Sequence, residues 1–133
     1  MSCKFDYHQI GDLFLPIIPI SIKGSFGWTE IWGFVDSGAT YSILLPQEAD
    51  RLGLHFLDGQ EIPITIGDGE KIKVYLHRLS IKIDEEEIDA LIGFSDELGV
   101  NMNLWGRNGI FDNYRICFSN NKKAVIVERE QYL

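Results

Sequence analysis

Basic residues are in short supply. Only 12 Lys and Arg stand against 20 Asp and Glu in 133 residues, which gives a formal charge of −8, and the few cations are scattered. Such a chain offers no basic surface to a phosphate backbone, which excludes nucleic acid as a partner. Cysteine is scarcer still: Cys3 and Cys117 are too few for a disulfide framework. Reduced thiols in a cytoplasmic setting are the simpler account, with Cys3 expected in a frayed terminus. Long apolar runs are missing too, because Pro16 and Pro19 interrupt the one candidate, Leu13 to Ile22; neither a signal core nor a membrane span is expected. His8, His55 and His77 stand apart, with no partner at metal-ligand spacing. The five acids between Asp84 and Asp89 lack the spacing and central glycine of a calcium loop, and read as the solvated end of a hairpin. Gly67-Asp68-Gly69 lacks the lysine and the helix of a phosphate-binding loop. No metal and no cofactor are implied.

What is present is an ordinary globular composition, 45% apolar and 24% charged, in a length that suits one domain with a real core. Residues 1–12 show no clear period and are expected to form an N-terminal arm or irregular lead-in, with the domain proper spanning 13–133. Alternation at spacing two dominates the rest. Ile18, Ile20 and Ile22 mark one strand, Gly24 to Gly27 a hairpin loop, and Trp28 to Val35 the returning strand. Pro46 is placed to open a short helix through Leu52, ended by Gly53, with Ala49 and Leu52 turned inward. Ile62, Ile64 and Ile66 answer Ile72, Val74 and Leu76 across the Gly67-Asp68-Gly69 tip, a strong hairpin signal. Leu79 to Ile83 and Ile88 to Ile92 predict two further strands, residues 95–101 a loop, and Tyr114 to Phe118 with Ala124 to Val127 a last hairpin.

The chain is organised around Phe34 to Leu45, FVDSGATYSILL. A β-branched and aromatic run ends in Asp36, and Ser37-Gly38-Ala39 then lets the backbone turn sharply and another chain approach closely. Asp-Ser-Gly is also a common turn composition, in which the Asp side chain bonds the backbone two residues on. A flexible phosphorylation tag would be a third use of DSGATYS, but the apolar WGFV and ILLP on either side argue against exposure.

Asp36-Ser37-Gly38-Ala39 followed by Ser42-Ile43-Leu44 resembles the active-site loop of retropepsin-like aspartic proteases. The hairpin Ile66-Gly67-Asp68-Gly69 stands where that family carries its substrate-covering flap, although Asp68 replaces an apolar tip residue. Asn103 to Asn108, NLWGRN, with Arg107 expected to open a short helix, is similar to the family's Asn-apolar-apolar-Gly-Arg-Asn motif, in which Leu104, Trp105 and Gly106 would pack beneath the catalytic loop as a psi-shaped core. The arginine of viral members pairs with a carboxylate four residues after the catalytic one. Here that place is Thr40, which leaves Arg107 to find another acid such as Glu48 or Asp50. Trp105 is larger than the usual aliphatic residue. The closing strand after Phe118 is similar to small prokaryotic members.

This resemblance implies an all-β, closed-barrel acid-protease fold with one or two short helices and one active-site Asp loop per chain. One DSG without an internal repeat implies that two copies pair, each giving Asp36 to a shared site, to hydrolyse an extended peptide or protein substrate. Ser37 would bond across the subunits, while Gly38 would offer backbone groups to substrate. The alternative from another class is a non-catalytic dimer of the same fold that binds a peptide or a partner protein.

Overall fold

Period-two patterning builds nearly all of this chain, whose computed structural model describes residues 2–130. In order the elements are β1 (Ser2–Asp6), β2 (His8–Ile10), β3 (Leu13–Leu15), β4 (Ile17–Gly24), β5 (Gly27–Val35) and β6 (Ser42–Leu44). Helix α1 (Pro46–Leu52) follows, then β7 (Gln60–Thr65), β8 (Lys71–Ile83), β9 (Glu86–Phe94), β10 (Leu104–Trp105), β11 (Tyr114–Ser119) and β12 (Ala124–Arg129). The helix has the bounds its sequence signals predict: Pro46 opens it, and Gly53 closes it in the left-handed region at φ 70°. Among the described residues, no helix is long and apolar enough to cross a membrane.

The main sheet runs β4-β5-β10-β6-β9-β8, and β8 returns to β4 through Ser21↔Lys82 and Ile22↔Ile81, which closes it into a barrel. Isoleucines 18, 20, 22, 31, 81, 83 and 92 fill the barrel with Phe94 and Trp105, as β-branched and aromatic side chains on a pleated surface should. Strand β7 pairs only with the first half of β8 and leaves the barrel as a hairpin. A three-stranded sheet, β1-β12-β11, packs Val125, Val127 and Tyr114 onto the same core.

Three expectations need correction. The first dozen residues are not an irregular lead-in. Strand β1 pairs with β12 from Ser2↔Glu128 to Asp6↔Ala124, β2 and β3 form their own hairpin, and Cys3 and Phe5 pack against the core. An inward pair of side chains is too short a pattern to stand out in a sequence. The two strands expected over residues 72–83 are one, β8, with an unbroken ladder to β9 from Tyr75↔Phe94 to Ile83↔Glu86. Its even residues, Ile72, Val74 and Leu76, bury against Ile43 and Leu98, whereas its odd residues Ile81 and Ile83 face the barrel core, so the apolar phase shifts without a break in the strand. Arg107 opens no regular helix either: Arg107–Phe111 is a single distorted turn, in which Asn108 (ψ 123°) and Gly109 (φ 76°) are non-helical. Gly109 lies so close to Ala90 that a Cβ there would collide with it.

Candidate active site

Strand β5 delivers Asp36 beyond its last barrel-facing residue, Val35, and strand β10 holds it there. Leu104 and Trp105 run parallel to Phe34 and Val35 on one side, and Leu104 pairs antiparallel with Ile43 on the other. The backbone NH of Phe34 donates to Asn103 O at 2.8 Å, and that of Asp36 donates to Trp105 O at 2.9 Å. Further along, the NH groups of Arg107 and Asn108 donate to Ala39 O and Thr40 O at 2.8 and 2.9 Å. The loop between β5 and β6 thus straddles β10 and is tied to it at both ends. At the crossing, Gly106 donates to the buried Ser42 Oγ at 2.9 Å, and a Cβ on Gly106 would stand 2.4 Å from the Tyr41 carbonyl. Only glycine fits that approach.

Within the loop, Asp36 Oδ1 accepts the Gly38 NH at 2.9 Å and Asp36 O accepts the Ala39 NH at 3.2 Å. The side-chain turn expected of Asp-Ser-Gly is therefore present, and it orients the carboxylate. Asp36 is half-buried, Ser37 and Gly38 are exposed, and Ala39 is half-buried.

The two departures in the core motif have local answers. Trp105 is fully buried and donates from Nε1 to Ile18 O at 3.1 Å; its ring occupies the space over Gly33, where a Cβ would come within 2.7 Å. Arg107 pairs with neither Glu48 nor Asp50. Its guanidinium donates to Ser37 O at 3.3 Å and Thr40 Oγ1 at 3.2 Å, so it still clamps the loop, through a carbonyl and a hydroxyl instead of a carboxylate. Glu48 is buried and already engaged, accepting from Asn103 Nδ2 at 2.6 Å and Arg51 Nη1 at 2.8 Å. Asn103 also accepts the Leu45 NH at 2.9 Å and donates to Trp32 O at 2.9 Å, joining β5, the start of α1 and β10 in one network. The sequence motif marks Asn103, but nothing in the sequence marks Glu48 as its partner.

Asp36 faces a cleft of about 370 Å³ between the loop and the hairpin formed by β7 and β8. Gly38, Ala39 and Thr40 form its floor, and Ile64, Thr65, Ile66 and Gly67 its roof. Tyr41, Ile43, Leu98, Val100 and Leu104 complete a mostly apolar wall, on which Asp36 is the single carboxylate. Leu98 and Val100 belong to a loop whose part in the cleft is invisible to local patterning. Asp68 bends back at the hairpin tip, its Oδ1 accepting the Glu70 NH at 2.9 Å, while Gly69 takes φ 88° and donates to Ile66 O at 2.9 Å. Asp68 thus shapes the turn and is absent from the cleft wall. Among the described residues, no group of three His, Cys, Asp or Glu side chains could hold a metal ion. His77 instead contacts Phe56 O at 2.9 Å, and His8 stacks beside Trp32 at 5.6 Å.

This architecture has known counterparts. The chain is similar to a retropepsin-like aspartic protease from Rickettsia conorii at 15% identity and TM-score 0.70, over 97% of this chain and 93% of that one. It is similar to the retroviral protease-like domain of Ddi1 from Leishmania major at 15% identity and TM-score 0.57, over 90% and 96%. A third likeness is to the EIAV protease complexed with an inhibitor, at 20% identity and TM-score 0.54, over 75% and 88%. A search of curated protein sequences gives no match. The all-β, closed-barrel fold is thus the retropepsin-like one. A sequence model of the aspartyl protease family matches residues 18–95, from β4 through the Asp36 loop and the hairpin to the end of β9. With more than half of its length matched, this chain belongs to the aspartyl protease family.

Proposed function

We propose that the chain is an aspartic endopeptidase that acts as a homodimer, with Asp36 from each subunit forming the catalytic pair. One observation carries this reading: a single carboxylate, fixed by a rigid crossing of β10 beneath the Asp36 loop, faces an apolar cleft roofed by a hairpin. Peptide hydrolysis needs a base to activate water and an acid to protonate the carbonyl. Two carboxylates about 3 Å apart supply both, because they cannot both ionise and so share one proton, as is known of aspartic proteases. Such a pair titrates as a unit. One chain supplies one carboxylate to the cleft, so a twofold axis beside Asp36 completes the site.

In this arrangement Ser37, exposed at the open end of the loop, bonds across the axis, and Gly38 presents its backbone to substrate. The hairpin carrying Ile66, Gly67, Asp68 and Gly69 closes over an extended peptide, which it binds by strand addition while it excludes water. Leu104, Trp105, Gly106 and Arg107 act from beneath, holding the loop in place. The reaction uses no cofactor, and we place the enzyme in the cytoplasm. The test is cleavage of a mixed peptide library across about pH 4 to 7, the range of a shared-proton pair. Wild type should cleave, and Asp36→Asn should fold, dimerise and lose at least about a thousand-fold in rate. A folded, inactive wild type would direct attention to the peptide-binding alternative.

A further inference from the structure

Resting on that dimeric reading, we propose that the β2–β3 hairpin is a dimer clamp, which lays its exposed apolar face on the second copy of this chain beside the paired Asp36 loops. The hairpin carries Ile10 and Leu13, a directly opposed pair on one face, at 48% and 63% exposure, and the neighbouring Trp32 of β5 is 46% exposed, whereas Phe14 projects from the other face. An isolated two-stranded hairpin is marginal in water. This one is held to its own chain by few contacts: the His8 ring lies against Trp32, Lys123 Nζ sits 5.7 Å over Phe14, and the backbone is pinned where Tyr7 N donates to Lys123 O and Val35 N to Pro16 O. Its apolar face has no cover of its own.

Geometry names the cover. The pair requires the two carboxylates within about 3 Å of one another, so the twofold axis passes beside Asp36. Pro16, at the root of the hairpin, is hydrogen-bonded to Val35, the residue before Asp36, at 3.0 Å. The far end of the hairpin lies three residues beyond, about 10 Å at strand rise. A patch rooted one residue from the axis is positioned to meet its symmetry mate. Charge favours the same occupant. Each chain carries −8, so two copies repel except through a surface poor in acids, and between His8 and Leu15 the one charged side chain is Asp12 at the tip.

Sedimentation equilibrium on the full chain in an Asp36→Asn background, which prevents self-cleavage, tests this against the variant that adds Ile10→Asp and Leu13→Asp, the opposed pair on the exposed face. The clamp predicts that the dimer dissociation constant rises about 100-fold or more, since truncating buried anchors of an interface carries such losses and each dimer loses both copies. Circular dichroism should show the variant's fold unchanged. A second readout needs no hairpin variant: amides 8–15 should gain hydrogen-exchange protection as concentration is raised through the dissociation constant. A dimer of unchanged affinity in the variant, or exchange at 8–15 that ignores concentration, overturns the clamp and leaves the catalytic reading standing. A background protein that is monomeric at every concentration overturns both.

Discussion

Trp105 and Gly33 are a single packing solution. A bulky ring under the loop is tolerated because the facing residue of β5 has no side chain, with 2.7 Å between a hypothetical Cβ and Nε1. Gly33→Ala should therefore cost about 1–3 kcal/mol, measured by denaturant unfolding, as overpacking of a close-fitted core does. Asn103 is tied at both ends, to the Leu45 NH and to the buried Glu48 carboxylate. Asn103→Ala strands both groups and should cost about 2–4 kcal/mol. Asn103→Asp should be worse at neutral pH, where two carboxylates would face each other across 2.6 Å, and should partly recover in acid as one takes up a proton. The cysteines differ in kind. Burial, then Asp84 and Glu86, push the Cys3 thiol up, so less of it is thiolate at neutral pH, whereas Cys117 is exposed on β11. Iodoacetamide followed by mass spectrometry should label Cys117 first; faster labelling of Cys3 would contradict the place of β1 against the core.

Among elements, the crossing of β10 beneath the loop is the most demanding feature, and it was largely legible. Glycine at 106, small residues at 37–39 and apolar runs on either side left their mark because each is required by a backbone approach or by burial. Helix α1 was legible through Pro46 and Gly53, which punctuate the chain locally. What stayed hidden depends on partners distant in sequence. The carbonyl of Ser37 that receives Arg107 has no side-chain identity to read, and Glu48 meets Asn103 across 55 positions. Strand β1 was missed because its pairing partner, β12, is at the other end of the chain. The distorted turn after Arg107 followed from packing of Gly109 on Ala90, another long-range contact. Gly106→Ala should lower activity more steeply than Gly67→Ala, since a Cβ at Gly106 collides with backbone whereas none at Gly67 meets any atom within 4 Å. Comparing the two variants' kcat/KM would check that order.

For the whole molecule, composition and topology point the same way. The barrel closes on itself, so among the described residues the free apolar surface is confined to the cleft, the β2–β3 hairpin and a few side chains such as Phe26 and Leu57. Under the proposed reading, a chain that supplies one carboxylate to its cleft is catalytic only when paired, so activity should depend on concentration. The initial rate of peptide cleavage against total protein concentration, at about pH 5 within the range of a shared-proton pair, therefore tests the central claim most directly. A homodimeric enzyme predicts a rate that rises with the square of concentration when dilute and becomes linear once dimers dominate, and that vanishes with Asp36→Asn. A rate strictly proportional to concentration down to the dilute limit, or one that survives Asp36→Asn, would contradict it.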